Sequence, residues 1–65
     1  MLLKVNGDSY ETVKGTLSEL LHELKVEPGR VAVEVNLKVI KRADFGTVEL
    51  NEGDSVEIVY FVGGG

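Results

Sequence analysis

The sequence predicts an α+β domain in which a mixed sheet of four to five strands packs on one helix, in the order β-β-α-β-β-β. Three observations carry that expectation: a hairpin signal at the start, a capped amphipathic helix after it, and later apolar segments with strand period. Leu2 to Val5 is apolar at strand length, and Asn6-Gly7 is a pair that tolerates positive φ in a two-residue turn. Ser9 to Val13 should therefore return antiparallel. Thr16-Leu17-Ser18-Glu19 follows Gly15. A threonine can cap the first N–H groups of a helix while a glutamate three residues on reaches back to the cap, so a helix starts here. Leu17, Leu20, Leu21 and Leu24 then form one apolar stripe at helical spacing, with Ser18, Glu19, His22 and Glu23 on the other side.

Pro28-Gly29 stops any continuation of the helix and turns the chain. Val31, Val33 and Val35 alternate with Ala32, Glu34 and Asn36, the period of a strand with one face covered. Asn36 opens a turn into Lys38-Val39-Ile40, although Leu37 stands where glycine is easiest. The polar run from Lys41 to Gly46 reads as a turn or short helical loop that drops Phe45 onto the core. A brief strand over Thr47 to Leu50, a turn at Asn51-Glu52-Gly53-Asp54 and a final strand complete the chain. All of residues 1–65 are expected to form one domain with a flexible glycine tail at 63–65.

Composition narrows the function. Eleven acidic against seven basic side chains give a net charge of −4, the wrong sign for phosphate backbones or anionic lipid. The expected partner is a protein with basic character, with no nucleic acid and no membrane. The absence of cysteine removes disulfides, thiolate metal sites and a cysteine nucleophile, and agrees with a cytoplasmic protein. The longest apolar run, Ile58 to Val62, is far short of the roughly 20 residues a spanning helix needs.

One helix can cover only one face of the sheet. If Val56 and Ile58 point to it, Val59 and Phe61 emerge on the other face, where nothing in the chain can cover them. Three glycines follow, Gly63-Gly64-Gly65. Glycine buries no side chain and loses the most entropy on ordering, so stability gives no reason for them. The apolar pair and the tail together point to a protein-binding surface.

This pattern resembles the β-grasp, or ubiquitin-like, fold. The chain length, the strand VAVEVN, the run LNEGDSVEIV and the ending FVGGG are similar to the ThiS family, the thiamine-biosynthesis sulfur carriers, over essentially the whole sequence. Two residues depart from the family pattern: Leu37 in the turn, and Phe45 where relatives often carry tryptophan. The resemblance implies that a ThiF-type, E1-like adenylating enzyme uses ATP and magnesium to activate the Gly65 carboxylate. A sulfur donor protein then converts it to a thiocarboxylate, and a ThiG-type thiazole synthase takes the sulfur. Gly63 and Gly64 would lie in the partner's active site, and Val59 and Phe61 would dock the folded body. The carrier itself would bind no cofactor.

The chain is not expected to be an enzyme. His22 is its only histidine and lies on the wet side of the helix, and no histidine is placed to activate Ser9, Ser18 or Ser55. The carboxylates lack the spacing of a calcium loop, and no metal site is expected. Three other readings remain open: the small subunit of a molybdopterin synthase, usually a longer chain; a ubiquitin-like modifier joined to lysine amines; and a structural binding module with an inert tail.

Overall fold

The structure, a computed structural model, describes residues 1–62. Five strands and one helix follow the expected order. They are β1 Leu2–Val5, β2 Asp8–Glu11, α1 Leu17–Glu23, β3 Val31–Val35, β4 Lys38–Ile40 and β5 Ser55–Tyr60, with short 3-10 turns at Pro28–Arg30 and Arg42–Asp44. The sheet order is β2-β1-β5-β3-β4. The last strand is thus the central one, parallel to β1 and antiparallel to β3.

The helix forms where its cap predicts. The Thr16 side chain accepts from the Glu19 N–H, and Glu19 Oε1 accepts in return from the Thr16 N–H at 3.1 Å. These bonds hold the Glu19 carboxyl below its ordinary pKa. The Thr16 N–H is the main cause, followed by the Gly15 N–H and the Thr16 hydroxyl. Leu17, Leu20 and Leu21 are fully buried against Leu3, Val33 and Val56. Their burial is the main source of stability in so small a domain.

The helix ends earlier than Pro28-Gly29 would require. Leu24 is its C-cap, and Lys25 takes φ +61°. The Val26 N–H reaches the Leu21 carbonyl and the Lys25 N–H reaches that of His22. That is a Schellman stop with lysine where glycine is usual, which is why no glycine announces it. The second strand is also shorter than expected: it closes at Glu11, and Val13 is exposed.

The segment Thr47 to Leu50 is not a strand of the sheet. It makes one isolated bridge, Thr16 to Glu49. Its backbone is used at the helix entrance, where the Leu17 N–H donates to the Val48 carbonyl and the Leu50 N–H to that of Gly15. Leu50 and Phe45 belong to the buried core cluster. Apolar character at 47–50 therefore serves the helix end of the core, not the ladder.

Both hairpins turn through two residues of positive φ, Asn6 (+50°) with Gly7 (+87°), and Asn36 (+52°) with Leu37 (+71°). Leu37 adopts the backbone that a glycine would take without strain.

Candidate functional site

The central strand β5 has two halves. From Ser55 to Ile58 it is flanked on both sides. Lys4 and Val5 of β1 register with Ser55 and Val56, and β3 pairs along the whole length from Val35 opposite Val56 to Val31 opposite Tyr60. Val56 and Ile58 are buried under the helix. β1 then stops, and the Asn6 side chain takes over from it. Asn6 Oδ1 accepts from the Ile58 N–H at 2.7 Å, and Nδ2 donates to the Ile58 carbonyl at 3.2 Å. One primary amide supplies the acceptor and donor that a further strand residue would have offered.

Asn36 does a related task at the other end. Its Oδ1 accepts from the Ser55 N–H at 2.9 Å and its Nδ2 donates to Asp54 Oδ1 at 3.0 Å. The turn asparagines of both hairpins thus clamp the central strand. Sequence reasoning read them only as turn formers. Nothing local shows the second role, because the bonded residues lie 52 and 19 positions away.

Beyond Ile58 the strand leaves the core. Val59 is 62% exposed, Tyr60 55%, Phe61 61% and Val62 95%. Val59 lies opposite Ala32 on the face away from the helix, with the cross-strand pair Glu34 and Glu57 beside it. Phe61 follows the end of β5 and donates its N–H to the Arg30 carbonyl at 2.9 Å. It is not simply stranded on the open face. It forms the lip of a cleft of about 340 Å³ that Pro28, Gly29, Ile40, Arg42 and Phe45 also line. Gly63, Gly64 and Gly65 lie outside the described residues.

The other candidates are not brought together. His22 is exposed on the helix. Among the described residues no group of three or more His, Cys, Asp or Glu side chains could hold a metal ion. No helix among them is long and apolar enough to cross a membrane.

One helix held in the grip of a five-stranded mixed sheet, with the central strand running out of the body, defines a β-grasp domain. Comparison with known proteins narrows that class. Residues 3–65 match the ThiS family, and the chain belongs to it. It is 39% identical over 66 residues to the sulfur carrier protein ThiS of Bacillus subtilis, covering 98% of this chain and 100% of that one. It superposes on the crystal structure of thiamine biosynthesis protein ThiS from Geobacter metallireducens with a TM-score of 0.85 at 39% identity, covering 100% of both chains. It is also 41% identical over 66 residues to a thiazole synthase of Paramagnetospirillum magneticum. There it spans 100% of its own length but only 20% of the relative's. A thiazole synthase of Magnetococcus marinus gives 42% identity with the same coverage.

Proposed function

We propose that this chain is a sulfur carrier of thiamine biosynthesis, working in the cytoplasm, with the Gly65 carboxylate as the group that carries sulfur. The observation that carries the reading is a family match that runs through the final glycine, joined to a central strand that leads from the core to that terminus.

The chemistry follows from the electrophile. A free carboxylate resists attack because its oxide is a poor leaving group. A ThiF-type adenylating enzyme uses ATP and magnesium to attach AMP to the Gly65 carboxylate, releasing pyrophosphate. A persulfide sulfur on a donor protein then displaces AMP, and a second thiol attacks the donor's sulfur in the resulting acyl disulfide, forming an ordinary disulfide with the donor and leaving the thiocarboxylate on Gly65. The carrier passes that sulfur to thiazole synthase and regains its carboxylate oxygen. The carrier contributes no acid, base or metal to these steps. Its work is binding, and the partners' active sites supply catalysis.

Three glycines, fully extended, add about 10 Å of reach. Their lack of side chains lets Gly63 and Gly64 fill a narrow channel while Val59 and Phe61 dock at its mouth. Ordering each tail residue costs roughly 1–2 kcal/mol, which the docking contacts must offset. The thiazole synthase relatives support synthase as the second partner, since a segment like this chain lies within a protein of that name.

The test is intact mass. The chain is incubated with its organism's ThiF-type enzyme, ATP, magnesium and sulfide, and separately with whole lysate. Replacement of one oxygen by sulfur at the C-terminus is the expected result. Conjugates to lysines of other proteins, with no thiocarboxylate, would identify a modifier instead.

A further inference from the structure

The geometry points to the second half of β5 as an open strand edge, built to receive an extended backbone segment of the adenylating enzyme that activates the terminus. This inference rests on the carrier reading for the identity of that enzyme.

The hydrogen-bond alternation fixes which way each backbone group of β5 points. The Asn36 N–H donates to the Ser55 carbonyl, and the Phe61 N–H to the Arg30 carbonyl. In the antiparallel register with β3, odd-numbered residues of β5 therefore exchange bonds with β3, and even-numbered residues point to the β1 side. The even residues agree: the Val56 carbonyl accepts from the Asn6 N–H, and the Ile58 N–H and carbonyl meet the Asn6 side chain. Tyr60 is next in this series. Its N–H and carbonyl face the side where β1 has ended and the Asn6-Gly7 turn has carried the chain away. Among the described residues nothing on that side pairs with them.

The composition of this edge differs from that of the two outer edges. β2 carries Asp8 and Glu11, and β4 carries Lys38 with Lys41 just beyond it. Charges of that kind keep foreign strands away. Ile58 to Val62 has no charge and no proline, and every residue favours extended backbone. An uncharged apolar segment with a free edge is an aggregation hazard that proteins ordinarily guard. Here it is unguarded and runs directly into the reactive terminus.

A partner strand laid against it explains both facts. A partner carbonyl would accept from the Tyr60 N–H and a partner N–H would donate to the Tyr60 carbonyl. Apolar partner side chains on alternate positions would cover Tyr60 on one face and Val59 on the other. Such pairing extends the strand direction into the tail, so the glycines enter the active site along a fixed line. The bonds are to backbone, so affinity does not depend on side chains alone.

The test is backbone surgery at Tyr60, using total synthesis of the 65-residue chain. One product carries an N-methyl group on the Tyr60 nitrogen, and a second replaces that amide with an ester. The Tyr60 N–H makes no bond within the described fold, so the N-methyl chain should unfold at the wild-type midpoint; the ester also weakens the Val59 carbonyl as an acceptor in the ladder with β3, so its midpoint should fall modestly and its affinity is measured where it is fully folded. The dissociation constant is measured against the ThiF-type enzyme of the same organism. The N-methyl chain should bind at least about tenfold more weakly, and the ester, which loses the donor without added bulk, roughly threefold to tenfold more weakly. Wild-type affinity in the ester and in a folded N-methyl chain would overturn the open edge, as would a free dimer that N-methylation breaks while enzyme affinity is unchanged. Thiocarboxylate formation by the unmodified chain is followed in parallel. Its absence overturns the carrier reading, whereas failure of the modified chains to weaken overturns only the edge.

Discussion

The two halves of β5 share a strand and a backbone ladder with β3, yet they answer to different demands. Ser55 to Ile58 is flanked on both sides by backbone or by an asparagine amide, and its apolar side chains are buried. Val59 and Tyr60 pair with β3 only, and they and the following Phe61 and Val62 are all more than half exposed. The change falls at Asn6, where β1 gives out. The sheet thus extends one strand past its neighbour and leaves apolar side chains exposed there. One six-residue strand serves both as core and as the approach to the terminus.

Truncation in the first half should do the greatest harm to folding. Ile58→Ala, or Leu21→Ala on the helix that covers it, removes buried apolar volume and should cost about 2–5 kcal/mol. Chemical denaturation would show a midpoint far below wild type. Two unchanged midpoints would remove the distinction between the halves.

The boundary itself comes next. Asn6→Gly keeps a turn that accepts positive φ but deletes the amide, leaving the Ile58 N–H and carbonyl without their partners. A loss of about 1–3 kcal/mol is expected from the same denaturation measurement. An unaltered midpoint would mean that water replaces the amide at no cost, and that Asn6 does not mark the limit of the protected strand.

The second half should respond in the opposite sense. Phe61→Asp should leave the midpoint close to wild type, since Phe61 is 61% exposed. It should weaken binding to the adenylating enzyme by more than tenfold, about 1.4 kcal/mol. Calorimetric binding together with thermal melting separates the two effects. A collapse of the fold would instead assign Phe61 to the core through its cleft beside Phe45.

The smallest change concerns the other hairpin. Leu37 is 85% exposed with φ +71°, so it is strained and buries little in return. Leu37→Gly should raise stability by about 1 kcal/mol, because relief of the left-handed strain outweighs the greater freedom of glycine in the unfolded chain. No gain in the denaturation midpoint would show that the turn tip already relaxes its strain through contacts of the leucine side chain.

Local signals made much of this fold legible in the sequence. The Asn6-Gly7 turn, the Thr16 and Glu19 capping box and the alternation of Val31, Val33 and Val35 each involve residues within a few positions of one another. What escaped depends on distance. The Asn6 and Asn36 amides bond residues far along the chain, and the backbone of Thr47 to Leu50 is claimed by the helix entrance. The helix stop escaped for another reason: lysine at position 25 takes a conformation that sequence rules assign to glycine. The candidate site was readable in part, since three terminal glycines after an apolar strand have no stabilising purpose. That β5 is central, and that β1 stops short of its end, follows only from the three-dimensional pairing.

Shortening the terminus by one residue separates folding from sulfur carriage most directly. Deleting Gly65 withdraws the carboxylate by about 3.5 Å while leaving the folded body and docking side chains intact. Misplacement of a reacting group on that scale defeats in-line attack. ATP–pyrophosphate exchange by the adenylating enzyme, measured with a truncated chain of wild-type unfolding midpoint, should fall to background, and intact mass should show no sulfur at the terminus. A truncated chain that supports exchange and forms thiocarboxylate at the wild-type rate would contradict the assignment of Gly65 as the carrier group.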